Sequence, residues 1–157
     1  MDIKEQKIVD IRKQMDGIIS LVEKESEERV AIHVVELKVF RELLKMGLSL
    51  LKYYIMLVGF TLTNKDKLDS EGKKLENKGS KNRNYFSVFG HLNFMQTKYY
   101  SVVDKTCYPL SKALGLPKGI YSYLLQDWMS YGAVDLDFQQ SVDYLERILG
   151  HSICPAQ

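Results

Sequence analysis

One hydrophobic seam runs through the first 62 residues and limits what this chain can fold into. On a seven-residue period, Met1, Ile8, Met15, Val22, Leu43, Leu50 and Leu57 fall at one position. Ile11, Ile18, Ile32, Val39, Met46, Tyr53 and Phe60 fall at the other, and only Lys4, Glu25, Arg29 and Glu36 interrupt the pair of rows. Apolar spacings of three and four held this long indicate a coiled coil or a long packed helical hairpin. An unbroken helix of that length would reach roughly 90 Å, at about 1.5 Å per residue. It cannot bury its stripe alone, so it needs a partner chain or must fold back on itself. The polar breaks gather around the KESEER segment, Lys24 to Arg29, where a turn costs least. Both arrangements stay open. The residues expected to carry self-association are Ile11, Ile18, Val39, Leu43, Met46, Leu50, Tyr53 and Leu57.

The most apolar run, Met46 to Leu62, is interrupted by Lys52, and its pieces are short for a membrane span. It reads as a buried helix. The first residues, MDIKEQKIVDIRKQMD, are charged throughout and lack the apolar core of a signal peptide. Two cysteines, Cys107 and Cys154, form no CxxC pair and no disulfide framework. A cytoplasmic protein with no membrane partner is the expectation. A net charge of +2 neither supports nor excludes nucleic-acid binding, because a basic patch can hide in a near-neutral total.

Residues 63 to 84 change character. They are rich in Lys, Asn, Gly and Ser and hold seven Lys/Arg against four Asp/Glu. The composition predicts a flexible, basic linker. Lys73, Lys74, Lys78, Lys81 and Arg83, with Lys98 beyond them, are the candidate contacts to nucleic-acid phosphates. Tyr85 and Tyr99 lie near enough in sequence to stack on bases, although tyrosines beside strands usually pack. Arg12 and Lys13 sit among as many acids as bases and read as a solvated helix face.

From Tyr85 onward the pattern is that of a small module ending at Gly150. Phe86, Val88, Leu92 and Phe94 alternate with polar positions, and Tyr99, Tyr100, Val102 and Val103 add strand formers. Gly90 marks a bulge or tight bend. Pro109 and Pro117 bracket a short turn–helix–turn, with Gly115 and Gly119 as stops. Two helices follow. Ser122 caps the first, whose core face is Leu124, Leu125, Trp128 and Met129. Asp137 caps the second, with Phe138, Val142, Leu145, Ile148 and Leu149 inside and Gly150 as its stop. The fold expected is α+β and mainly helical: a helical arm (1–62), a basic linker (63–84), a β-hairpin and helix module (85–150) and a tail (151–157).

The ordered set VFGHLNF, YPLSKALGLP, YSYLLQDWM and LERILG resembles the N-terminal region of the Kra-type insertion-sequence transposases. The matching residues are Phe89-Gly90, Pro109-Leu110, Leu114, Leu116-Pro117, Tyr121-Ser122, Leu125-Gln126 and Leu149-Gly150, and the upstream VFRELLKMGLSLLKYYI is similar to the family's helical leader. The resemblance spans roughly residues 34 to 150. The chain departs from the family at His91, Gln96 and Ser111, where an acid, a base and an acid are usual. The resemblance implies cut-and-paste DNA transposition by a core with three metal-binding carboxylates that would follow this chain. For the chain itself it implies DNA at the transposon ends and self-assembly, or assembly with the full-length transposase. Asp104, Asp127, Asp135, Asp137, Asp143 and Glu146 are the acids beyond the linker, and several read as caps or outer-face residues. No catalytic residue, metal or cofactor is expected here.

Two further patterns are weaker. FQQSVDYLERILGHSICPAQ is similar to the first half of a helix-turn-helix, whose second, groove-reading helix would begin near Ile153. It reads equally as a closing helix of the module. His151 and Cys154 are spaced as HxxC, with Cys107 and His91 as conceivable companions, but the four lack regular zinc spacing. No phosphate-binding loop, dinucleotide fingerprint or Ser-His-Asp arrangement is present.

Overall fold

The computed structural model describes residues 2–134 and 136–154. Met1 of the seam, Asp135 and residues 155–157 of the tail lie outside the described residues. The architecture is α+β and mainly helical.

The seam folds back. Helix α1 spans Ile3–Glu27 and α2 spans Ile32–Thr61. The turn between them falls where the polar breaks gather, and Arg29 takes a left-handed backbone there, with φ 52°. Contacts between the helices run antiparallel along the whole hairpin. Lys38 Nζ donates to the Glu25 carboxylate at 2.7 Å, Gln14 Nε2 donates to Ser49 Oγ at 3.0 Å, and the Lys4 ammonium lies 5.0 Å from the Phe60 ring centroid. Glu25, a break in the heptad, is only 7% exposed, and its pairing with Lys38 offsets the cost of that burial. Ile18 is buried and Ile11, Val39, Met46, Tyr53 and Leu57 are half-buried, whereas Leu43 and Leu50 stay 43% and 46% exposed. Met46 and Tyr53, three before and four after Ser49, share the face turned to α1. The Met46–Leu62 run is therefore not a buried helix. Within it Ile55 alone is buried, because α2 meets neighbours on only part of its circumference. By length and composition alone α2 is long and apolar enough to cross a membrane.

Another face of α2 seats the module. Leu44 packs against the module core, and Leu48 lies against Gly90. Gly47 has no room for a Cβ because the Phe89 ring occupies that space. The Arg41 guanidinium lies over Gly150, at the carbonyl end of the last helix, where a cation is favoured.

The segment expected to be a free linker is ordered. A single 3-10 turn, Lys65–Lys67, opens it, and Leu75 is 5% exposed. Asp104 accepts from the Ser70 amide at 2.8 Å and from its hydroxyl at 2.6 Å, tying the loop to the end of the sheet. Strand β1 is Glu76–Ser87, so most of its length falls inside the expected linker. It pairs antiparallel with β2, Gly90–Ser101, which also pairs with the short β3, Lys105–Cys107. β1 looked unlike a strand because both its faces are wet until Tyr85, with only Arg83 half-buried before it. The ladder to β2 holds it where burial does not. Gly90, at φ 130°, closes the hairpin.

Helix α3 is Pro109–Ala113, α4 is Tyr123–Gly132 and α5 is Phe138–Leu149. The caps are those expected. Ser122 Oγ accepts from the Leu125 amide at 3.0 Å, Asp137 accepts from the Gln140 amide at 2.8 Å, and Gly150 is left-handed with φ 71°. The core joins Phe86, Val88, Leu125, Met129, Val142, Leu145, Leu149 and Ile153. Four expected core residues lie outside it: Leu124, Trp128, Phe138 and Ile148 are 49%, 39%, 60% and 42% exposed. Only one narrow stripe of each helix faces inward, 125/129 on α4 and 142/145/149 on α5. After Gly150 the chain turns back into the core. Ile153 is fully buried, and its amide and the Ser152 hydroxyl both donate to Glu146 at 2.9 Å. Of the two readings of this segment, the geometry is that of a closing helix.

Candidate functional site

Two depressions lie on either side of the turn between α3 and α4, and Pro117 and Lys118 line both. The segment between α3 and α4 is laid along the sheet like a short extra strand: the Phe86 amide donates to the Ile120 carbonyl at 2.7 Å, and the Ser122 amide donates to the Phe86 carbonyl at 2.8 Å. This fixes the Pro117–Gly119 turn beside β1. Arg83 completes the attachment. Its Nη2 donates to the carbonyls of Pro117 and Gly119, each at 2.6 Å. On the other side the Ser111 hydroxyl donates to the buried Gln96 side chain, binding α3 to β2.

The first depression, about 470 Å³, is a groove carrying Lys81, Arg83, Lys112 and Lys118. Among the described residues no Asp or Glu lines it. Lys81 and Arg83 are two apart on β1 and therefore share a face, while Lys112 comes from α3 and Lys118 from the turn. Four cations without a lining carboxylate, in a chain whose net charge is +2, make this a local concentration of positive potential. Lys112 also reaches two acids away from the groove. Asp66 is held below the usual carboxylate range mainly by the Thr63 amide and hydroxyl, and Asp104 mainly by the Ser70 hydroxyl and amide; Lys112 adds a smaller pull on both.

The second depression, about 700 Å³, is a trough along α4 that shares Pro117 and Lys118 with the groove. Tyr123, Gln126, Ser130 and Ala133 line it at spacings of three, four and three, which is one helix face. Met129 and Tyr121 also line it, as does Phe138 of α5. Tyr123 and Phe138 are 63% and 60% exposed. Among the described residues no carboxylate lines the trough either.

The six cations expected to form one phosphate-binding cluster are dispersed. Lys81 and Arg83 reach the groove. Lys73 pairs with Glu71 at 2.9 Å, Lys78 pairs with Glu76 at 2.5 Å, and Lys74 lines a separate small cavity beside Val102 and Val103. Lys98 is half-buried on β2. Arg83 is spent on backbone carbonyls, so it builds the groove wall while adding its charge. Lys112 and Lys118 were missed. Their signal was the lysine after each proline of the bracketed turn, in PLSK and PLSKALGLPK, which only the fold brings to Lys81. Tyr85 is half-buried, and burial pushes its phenol up, with the Ser122 hydroxyl and Arg83 pulling the other way. It packs rather than offering a face for stacking.

The HxxC residues have separate partners. His151 Nε2 is 3.0 Å from the Val88 carbonyl, Cys154 Sγ is 3.9 Å from the Tyr121 hydroxyl, and His91 stacks on Phe86 with ring centroids 4.5 Å apart. Burial and the charge of Asp104 raise the Cys107 thiol, the reverse of what a nucleophile needs. Of the acids beyond the linker, Asp137 caps α5, Glu146 holds the chain after Gly150, Asp143 accepts from Gln139 at 2.8 Å and Asp104 holds Ser70. Among the described residues no group of three or more His, Cys, Asp or Glu is placed to hold a metal ion.

No protein-family model, curated protein or solved structure matches this chain.

Proposed function

We propose that this chain is the assembly and DNA-holding part of an insertion-sequence transposase of the Kra type, acting in the bacterial cytoplasm without cutting DNA itself. The groove carries this reading: Lys81, Arg83, Lys112 and Lys118 line one open depression, with no acid among its described lining residues. Phosphate is the group such a surface suits, because cations released from a duplex by each neutralised phosphate drive binding. Asn84 and Gln96, which also line the groove, are already engaged by His91, Asn93 and Ser111, which favours backbone holding over sequence reading.

The hairpin supplies assembly. Met15, Ile19 and Val22 on α1 and Leu43, Leu50 and Tyr54 on α2 remain 43% to 55% exposed. Apolar stripes of this extent mark an association surface, here a homodimer or a mixed assembly with the full-length transposase. Pairing two DNA ends gives such an assembly its use.

The same stripes favour one alternative, a stand-alone interaction or regulatory protein in which DNA plays no part. Mobility shift on nonspecific duplex at low salt separates the two. Binding that Lys81→Glu and Lys118→Glu weaken supports DNA holding, and no shift at high protein concentration supports the alternative.

A further inference from the structure

We infer that the trough along α4 receives unpaired bases from a nucleic-acid strand whose phosphates lie in the adjoining groove. The inference rests on the groove's holding DNA and names which form of it the site prefers. Two observations and one general principle carry it. The two depressions share one rim, Pro117 and Lys118, so a single strand can occupy both at once. Their chemistry is divided as a nucleotide's is: lysines and Arg83 on one side of the rim, aromatic faces and a buried methionine on the other. Aromatic side chains beside a positively charged track form the stacking platform that binds single strands with little regard to sequence.

The size agrees. The open trough, about 700 Å³, has room for a planar base. A paired base keeps its faces inside the duplex stack, so duplex could use the groove but not the trough. Tyr123 and Phe138 are the residues on which a base would rest. Both are more than half exposed, and neither belongs to the core cluster. Gln126 lines the same face and is held in place by donating Nε2 to the Tyr121 carbonyl at 2.8 Å. Among the described residues its amide oxygen has no donor, so it can accept from a base edge. The site thus suits the frayed or distorted DNA that strand exchange produces.

The test uses the full chain, a 12-nucleotide single strand carrying one 2-aminopurine, and the same strand annealed to its complement. Affinity and 2-aminopurine fluorescence are measured at one fixed salt concentration. The inference predicts about tenfold tighter binding of the single strand and a twofold or larger fluorescence change on saturation. Tyr123→Ala and Phe138→Ala should each cost about tenfold in single-strand affinity and leave duplex affinity unchanged. Unchanged helical circular dichroism in both variants will show that the fold is intact. Equal binding of both forms, with the two variants inert, overturns the trough and leaves the groove standing. Failure of both forms to bind overturns the trough and the groove together.

Discussion

Arg83 Nη2 donates to the Pro117 carbonyl at 2.6 Å, so a side chain expected to meet phosphate instead fastens the wall of the groove that would hold it. The same nitrogen donates to Gly119, and Nη1 points toward Lys118 at a long 3.5 Å. A planar fork that reaches three successive carbonyls has no equivalent in lysine. Arg83→Ala is expected to cost about 2 kcal/mol of stability, since hydrogen bonds from a charged group contribute roughly 1.5–3 kcal/mol each before exposure reduces them. Arg83→Lys should recover less than half of that loss in a chemical denaturation series. Full recovery would show that charge alone matters at this position.

Two helical glycines should respond oppositely to alanine. Gly17 on α1 has open space around it, so Gly17→Ala is expected to stabilise by up to about 1 kcal/mol, the ordinary helix preference. At Gly47 on α2 the new methyl meets the Phe89 ring. Overpacking of about 1–3 kcal/mol exceeds the helix gain, so Gly47→Ala should lower the melting temperature. Adding Phe89→Leu should return part of the loss. Additive effects of the pair would contradict the packing of α2 on the β1–β2 turn.

Much of this was legible from local rules. The turn near Arg29, the caps at Ser122 and Asp137, the left-handed Gly150 and the bend at Gly90 each rest on a few adjacent residues whose backbone preferences are strong. The strand at Glu76–Asn84 was hidden because its side chains face water and only its backbone is claimed, by β2. The groove was half legible. Lys81 and Arg83 stand out in sequence, but Lys112 and Lys118 join them only through hydrogen bonds made across the fold, Ser111 to Gln96 for α3 and Phe86 and Arg83 to the Pro117–Ser122 segment for the turn. The exposed side of α4 was misread because Leu124 and Trp128 are as apolar as Leu125 and Met129. Composition cannot say which of two adjacent stripes faces inward.

Glu146 should make the end of the module sensitive to acid. The Ile153 amide holds its carboxyl below the ordinary value of 4.5, with burial opposing and the Ser152 hydroxyl assisting. A depressed carboxylate contributes stability that is present above its unfolded pKa and is lost as pH falls through the lower folded value. Glu146→Gln is therefore expected to destabilise by about 1 kcal/mol at pH 7. The gap between variant and wild type should close as pH drops below about 4. A gap of constant size from pH 7 to pH 3 would place the effect in packing rather than charge.

The open stripes of the hairpin predict an oligomer. Leu43→Asp with Leu50→Asp should turn it into a monomer in sedimentation equilibrium while leaving helix content unchanged, because both residues are exposed within one copy. A wild-type chain that sediments as a monomer at high concentration and floats with lipid vesicles would instead assign α2's apolar length to a membrane.

Whether the groove holds nucleic-acid phosphates is decided by the salt dependence of binding. Each phosphate neutralised contributes about 0.9 to the slope of log affinity against log salt on duplex, and about 0.7 on single strands. Replacing Lys81, Lys112 and Lys118 together by Gln should lower the magnitude of that slope by about 2 to 3 on duplex and weaken binding similarly on unrelated sequences. The same slope for wild type and the triple variant, or no binding by the folded wild-type protein at about 50 mM salt, would contradict it.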